Sequence, residues 1–94
     1  MITPQQIRGA RAMLGLTQAE LAAKANISTT GLNNIERGTA DPKTSTLRAL
    51  KGALETAGVE FIPENGGGAG VRLRKRQDGG VIIPADELNA SNDE

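Results

Sequence analysis

Ninety-four residues, 37% of them hydrophobic, suffice for one small domain and an appendage but not for two full domains. Cysteine and histidine are absent, which removes disulfides, thiolate or imidazole metal sites, and every His- or Cys-based catalytic arrangement. The net charge is zero, yet residues 1–58 carry +3 and residues 59–76 carry +2, a mildly basic body offset by −5 over residues 77–94.

Thr3-Pro4-Gln5-Gln6 opens the first predicted helix with an N-cap, a proline at the first helical position and a glutamine three places after the cap. Ile7, Ala10, Arg11 and Leu14 then recur at helical spacing on one face, and Gly15 ends the helix. An arginine on an apolar stripe requires a partner if it is buried. Thr17 with Glu20 is a capping box for a second helix, whose narrow stripe is Leu21, Ala22 and Ala25. Asn26 suits the left-handed residue that closes such a helix, and Ile27 turns back towards the core. Ser28 caps a third helix with Leu32 and Ile35 as its only apolar face, and Gly38 stops it. After a loop through Pro42, a fourth helix starts near Lys43 to Ser45. It carries Leu47, Leu50 and Leu54 on one face and ends at Gly58.

The period changes after Gly58. Val59-Glu60-Phe61-Ile62 favours a strand, residues 63–70 form a glycine-rich turn, and Val71 to Arg76 alternates apolar with basic. Asp78-Gly79 signals a further hairpin into Val81-Ile82-Ile83, which Pro84 ends or confines to an edge. Residues 85–94 are polar and acidic, and are expected to be disordered. The Gly66–Gly70 run lacks the Lys-Ser/Thr and the following helix of a phosphate loop, so it reads as a hairpin linker. Two readings stay open for Arg72, Arg74, Lys75 and Arg76: contact with a nucleic-acid backbone, or solvation of an exposed strand face.

Two short helices joined by three or four residues have helix-turn-helix spacing. The outer face of the second of them carries Thr29, Thr30, Asn33, Asn34 and Arg37, hydrogen-bonding side chains with a cation at the end, which suit base edges and phosphates. Phe61 is the sole aromatic residue, so the stacking platforms of single-strand or RNA readers are missing.

Residues 4–58 resemble the DNA-binding domain of the phage repressor and Cro (XRE) family. The resemblance rests on Arg11, Leu14-Gly15-Leu16-Thr17-Gln18, Glu20-Leu21-Ala22, Ile27-Ser28, Leu32 and Ile35-Glu36-Arg37-Gly38. Pro42 with Thr46-Leu47 and Leu50 match the family's fourth helix. It implies a mainly α fold, a compact four-helix lambda-repressor-like helix-turn-helix domain over residues 1–58. A β-hairpin or meander tail (59–84) and an acidic tail (85–94) follow. It also implies base contacts from Thr29, Thr30 and Asn34, flanked by Ser28 and Asn33, and a phosphate contact from Gln18. Arg37 and Lys43, by their place at the end of the third helix and after it, are expected to join Gln18 on the backbone. The alternative is polar side chains that cap helices and face water. Arg11 and Glu36 would form an inter-helical ion pair; the alternative is two solvated helix charges. Gly31 departs from the bulkier residues the family uses in this helix.

A reader of two half-sites needs a two-fold axis. The helices spend their apolar stripes internally, whereas Val59, Phe61, Val71 and Leu73 have little chain to cover them, so these four are expected to make a homodimer. The alternative is that the sheet folds back on its own fourth helix, with the dimer formed elsewhere or only on DNA. No apolar run approaches a membrane span and no signal-peptide pattern opens the chain. The expected protein is a cytoplasmic, non-enzymatic transcription regulator, without cofactor or metal, on double-stranded operator DNA. A different class stays open: an antitoxin or antiactivator whose tail binds a partner protein.

Overall fold

Side-chain caps start three of the four helices of the computed structural model, which describes residues 2–74. The elements are α1 (Pro4–Leu14), α2 (Gln18–Ala25), α3 (Thr29–Arg37), α4 (Thr44–Ala57), β1 (Val59–Ile62) and β2 (Gly70–Leu73). Thr3 Oγ1 accepts from the Gln6 N–H at 3.1 Å while the Gln6 side chain accepts from the Thr3 N–H at 2.8 Å. Thr17 and Glu20 repeat this reciprocal box, and Ser28 Oγ accepts from the Gly31 N–H at 2.9 Å. Each pairing satisfies amides that a helix start leaves without partners. Lys43 precedes α4 and makes no side-chain cap bond.

The first three helices end alike. Gly15, Asn26 and Gly38 are left-handed, with φ of 70°, 59° and 76°. The residue after each one donates back to the carbonyl five positions earlier: Leu16 to Arg11, Ile27 to Ala22, Thr39 to Asn34. This reversal turns the chain sharply enough for short helices to pack on one another. The core between them is aliphatic: Ile7, Ala10, Leu14, Leu21, Ala22, Ala25, Leu32, Ile35, Leu50 and Leu54, joined by Ile2 and Val59. Each large aliphatic side chain removed from water contributes about 1.5–3 kcal/mol.

The tail is an antiparallel hairpin with Val59 opposite Leu73 and Phe61 opposite Val71. Those four share one face, by the two-residue period of strands. Glu60 and Arg72 pair on the other face at 2.7 Å. The Arg74 N–H continues the ladder to the Gly58 carbonyl at 2.9 Å. The apolar face is covered within its own chain, the alternative that the sequence left open, which corrects the expectation that too little chain surrounds it. The hairpin folds back on α1 and α4, Val59 is fully buried, and Phe61, Val71 and Leu73 are partly buried against the core. Gln6 fastens it from α1: its Nε2 donates to the Gly70 carbonyl at 2.8 Å and the Ile62 carbonyl at 3.4 Å. Lys75, Arg76, the Asp78-Gly79 turn, Val81-Ile82-Ile83 and the acidic tail lie outside the described residues.

Candidate nucleic-acid interface

Three residues, 26–28, separate α2 from α3. Leu32 and Ile35 seat α3 on the core, which turns Thr29, Thr30 and Arg37 to solvent and leaves Asn33 and Asn34 half-buried. Among the described residues, no hydrogen bond uses the side chains of Thr29, Thr30 or Asn34. Ser28 is exposed, but its hydroxyl already accepts the cap bond. A Cβ on Gly31 would stand 3.0 Å from that oxygen, so glycine gives the cap its room.

Behind this surface sits a polar hub. Glu36 is 2% exposed, and its two oxygens accept from Arg11 Nε at 2.9 Å and Arg11 Nη2 at 3.0 Å. Such a forked, charge-assisted pair satisfies the buried carboxylate, while the Arg11 side chain stays 25% exposed. Gln18 Nε2 donates to the same carboxylate at 3.1 Å, and Arg11 Nη1 donates to the Leu16 carbonyl at 3.2 Å. One glutamate thus ties α1 and the start of α2 to the recognition-like helix. No described side-chain polar atom is buried without a partner.

Gln18 and Asn33 are engaged within the protein. Asn33 Nδ2 donates to Gln18 Oε1 at 3.4 Å, so both side chains lean on each other rather than facing outward alone. An amide nitrogen carries two hydrogens. Gln18 therefore keeps one N–H beyond the one given to Glu36. Arg37 and Lys43 are exposed, at the end of α3 and before α4. One participant was absent from the sequence reading: Arg8 Nη1 donates to the main-chain carbonyl of Glu36. Its signal in the sequence is its position three residues before Arg11, on the same face of α1. Among the described residues, no group of His, Cys, Asp and Glu is placed to hold a metal ion, and no helix is long and apolar enough to cross a membrane.

Four short helices with this turn, and a third helix braced from behind, define a helix-turn-helix domain of the lambda-repressor-like fold. The chain belongs to the helix-turn-helix family of the XRE type, whose model matches residues 7–61. It is 46% identical over 54 residues to the immunity repressor protein of Bacillus phage phi105, a stretch that covers 57% of this chain and 38% of that relative. It thus spans well under half the length of the phage protein. Among solved structures, the wild-type restriction-modification controller protein C.Esp1396I is 31% identical with a TM-score of 0.53, over 55% of this chain and 68% of the other. The DNA-binding domain of the P22 C2 repressor is 29% identical with a TM-score of 0.54, over 58% of this chain and 72% of the other.

Proposed function

We propose that this chain is a cytoplasmic, sequence-specific repressor or autoregulator of transcription that binds a palindromic operator as a homodimer. The observation that carries this reading is the division of labour on α3. Its inner residues are fixed by the core and by the Glu36 hub, and the side chains of Thr29, Thr30 and Asn34 enter no hydrogen bond among the described residues. Asparagine can bond adenine at two points, and a threonine methyl can pack on thymine. Gln18, with its remaining N–H, and the exposed Arg37 and Lys43 are the phosphate contacts in this reading. The family membership and the phage repressor relative support it.

The half-buried Phe61, Val71 and Leu73 are the remaining candidates for a dimer contact; Val59 is spent inside its own chain. Selection from a random duplex pool tests the function. Enrichment of an inverted repeat with half-sites about one helical turn, roughly 34 Å, apart is expected. In that setting Asn34→Ala should cost about 1–3 kcal/mol at one base position and relax specificity there. Arg37→Ala should weaken all sequences alike. Sedimentation of Phe61→Ala tests the dimer, with a weaker dimer expected. No enrichment by a folded dimer overturns the DNA reading and favours a tail that captures a partner protein.

A further inference from the structure

α1 holds α3 at two points, and only one of them is the ion pair. Arg11 takes the Glu36 side chain, while Arg8, one turn earlier, takes the Glu36 main-chain carbonyl. At the end of α3, the Gly38 N–H reaches the carbonyls of Asn34 and Ile35, and the Thr39 N–H and hydroxyl both reach Asn34. The Glu36 carbonyl receives none of these. It is one of the acceptors that a helix C-terminus leaves without an intrahelical partner. A guanidinium placed there supplies a donor and sets positive charge beside the negative end of the helix dipole.

The next residue is Arg37, exposed at the last position of α3. Its side chain leaves the helix from the peptide unit that Arg8 grips. We propose that Arg8 is a positioning residue for DNA binding. It fixes the last turn of α3, and so the direction in which Arg37 projects, without itself touching the nucleic acid. This rests on the reading of α3 as the helix that meets DNA. A surface arginine on a DNA-binding domain has an obvious rival role, direct contact with a phosphate. The two roles differ in a measurable way. A phosphate contact releases a counterion and contributes to the salt dependence, whereas a positioning contact does not.

The experiment compares the wild-type chain with Arg8→Met, which keeps the stem without donors, and Arg8→Lys, which keeps one donor group. Binding to the selected duplex is measured at several salt concentrations, under conditions where circular dichroism shows each variant folded. Amide exchange of Gly38 and Thr39 is followed in the free proteins. For Arg8→Met we expect affinity to fall about fivefold, the worth of one net hydrogen bond, with the salt slope unchanged. Exchange at Gly38 and Thr39 should quicken, and Arg8→Lys should recover most of both losses. Unchanged affinity and exchange in Arg8→Met overturn the proposal. So does a loss accompanied by a slope flatter by about 0.9, which makes Arg8 a phosphate contact. If the wild type selects no duplex, the reading of α3 fails by itself, and the exchange data still decide whether Arg8 holds the turn.

Discussion

The helices and the hairpin are held by different means. Of the seven largest fully buried side chains among the described residues, six belong to helices and one, Val59, to the hairpin. The helical part holds most of the buried aliphatic core and a buried, paired carboxylate on α3. The hairpin has one buried anchor, a half-buried apolar face and a two-point tether from Gln6. Two strands alone are marginal in water, so this hairpin is stable only as an attachment to α1 and α4. The contrast teaches that losing a helical contact is felt throughout the domain, while losing a hairpin contact releases one edge of it.

Glu36→Ala should break the contrast most severely. It removes the buried half of the pair and leaves the Arg11 side chain, 25% exposed, partly solvated, so the cost in urea denaturation should be about 3 kcal/mol, the lower end for a buried pair. A double-mutant cycle with Arg11→Ala should give a coupling well above the roughly 1 kcal/mol of an exposed pair. Additive single effects would mean that the pair contributes no more than an exposed one. Next comes Val59→Ala, expected to cost about 2 kcal/mol from lost burial. It should loosen the hairpin before the helices, as probed by limited proteolysis within residues 63–69. Gln6→Ala should cost about 1 kcal/mol through the lost tether and capping box. Hydrogen exchange should quicken in β1 and β2 and at the start of α1, with α3 and α4 unmoved. Equal quickening everywhere would erase the distinction between the two regions. The smallest effect runs the other way. A Cβ on Gly52 of α4 meets nothing within 4 Å, so Gly52→Ala should stabilise by about 0.5–1 kcal/mol, visible as a raised melting temperature.

Elements marked by local chemistry were legible in the sequence. Thr3 with Gln6, Thr17 with Glu20, Ser28, Gly15, Asn26 and Gly38 all signal helix ends within a few residues, and the ends lie where those signals stand. Contacts between distant residues were legible only through the family resemblance, which gave the Arg11–Glu36 pair, and the rest were not. Gln6 reads as a capping residue, and nothing near it indicates that Ile62 and Gly70, more than fifty positions away, also need its amide. Whether Val59 is covered by its own chain or by a second copy stayed open for the same reason, because it depends on where α1 and α4 stand rather than on the strand's own pattern. The outward face of α3 followed from its spacing. The mutual engagement of Gln18 and Asn33 did not, since it requires the angle at which α2 meets α3.

The way α3 divides its residues also bears on how such a protein can change. Ser28, Leu32, Ile35 and Glu36 hold the helix in place, while the side chains of Thr29, Thr30 and Asn34 enter no hydrogen bond among the described residues. Surface substitutions away from caps and cores usually alter stability by no more than about 0.5 kcal/mol. The exposed Thr29 and Thr30 can therefore mutate, within helix propensity, without unsettling the frame behind them, whereas the half-buried Asn34 has less room to change. If α3 meets DNA as proposed, a lineage could exchange the exposed residues of this helix one at a time, each intermediate still folded, and so arrive at a new binding preference.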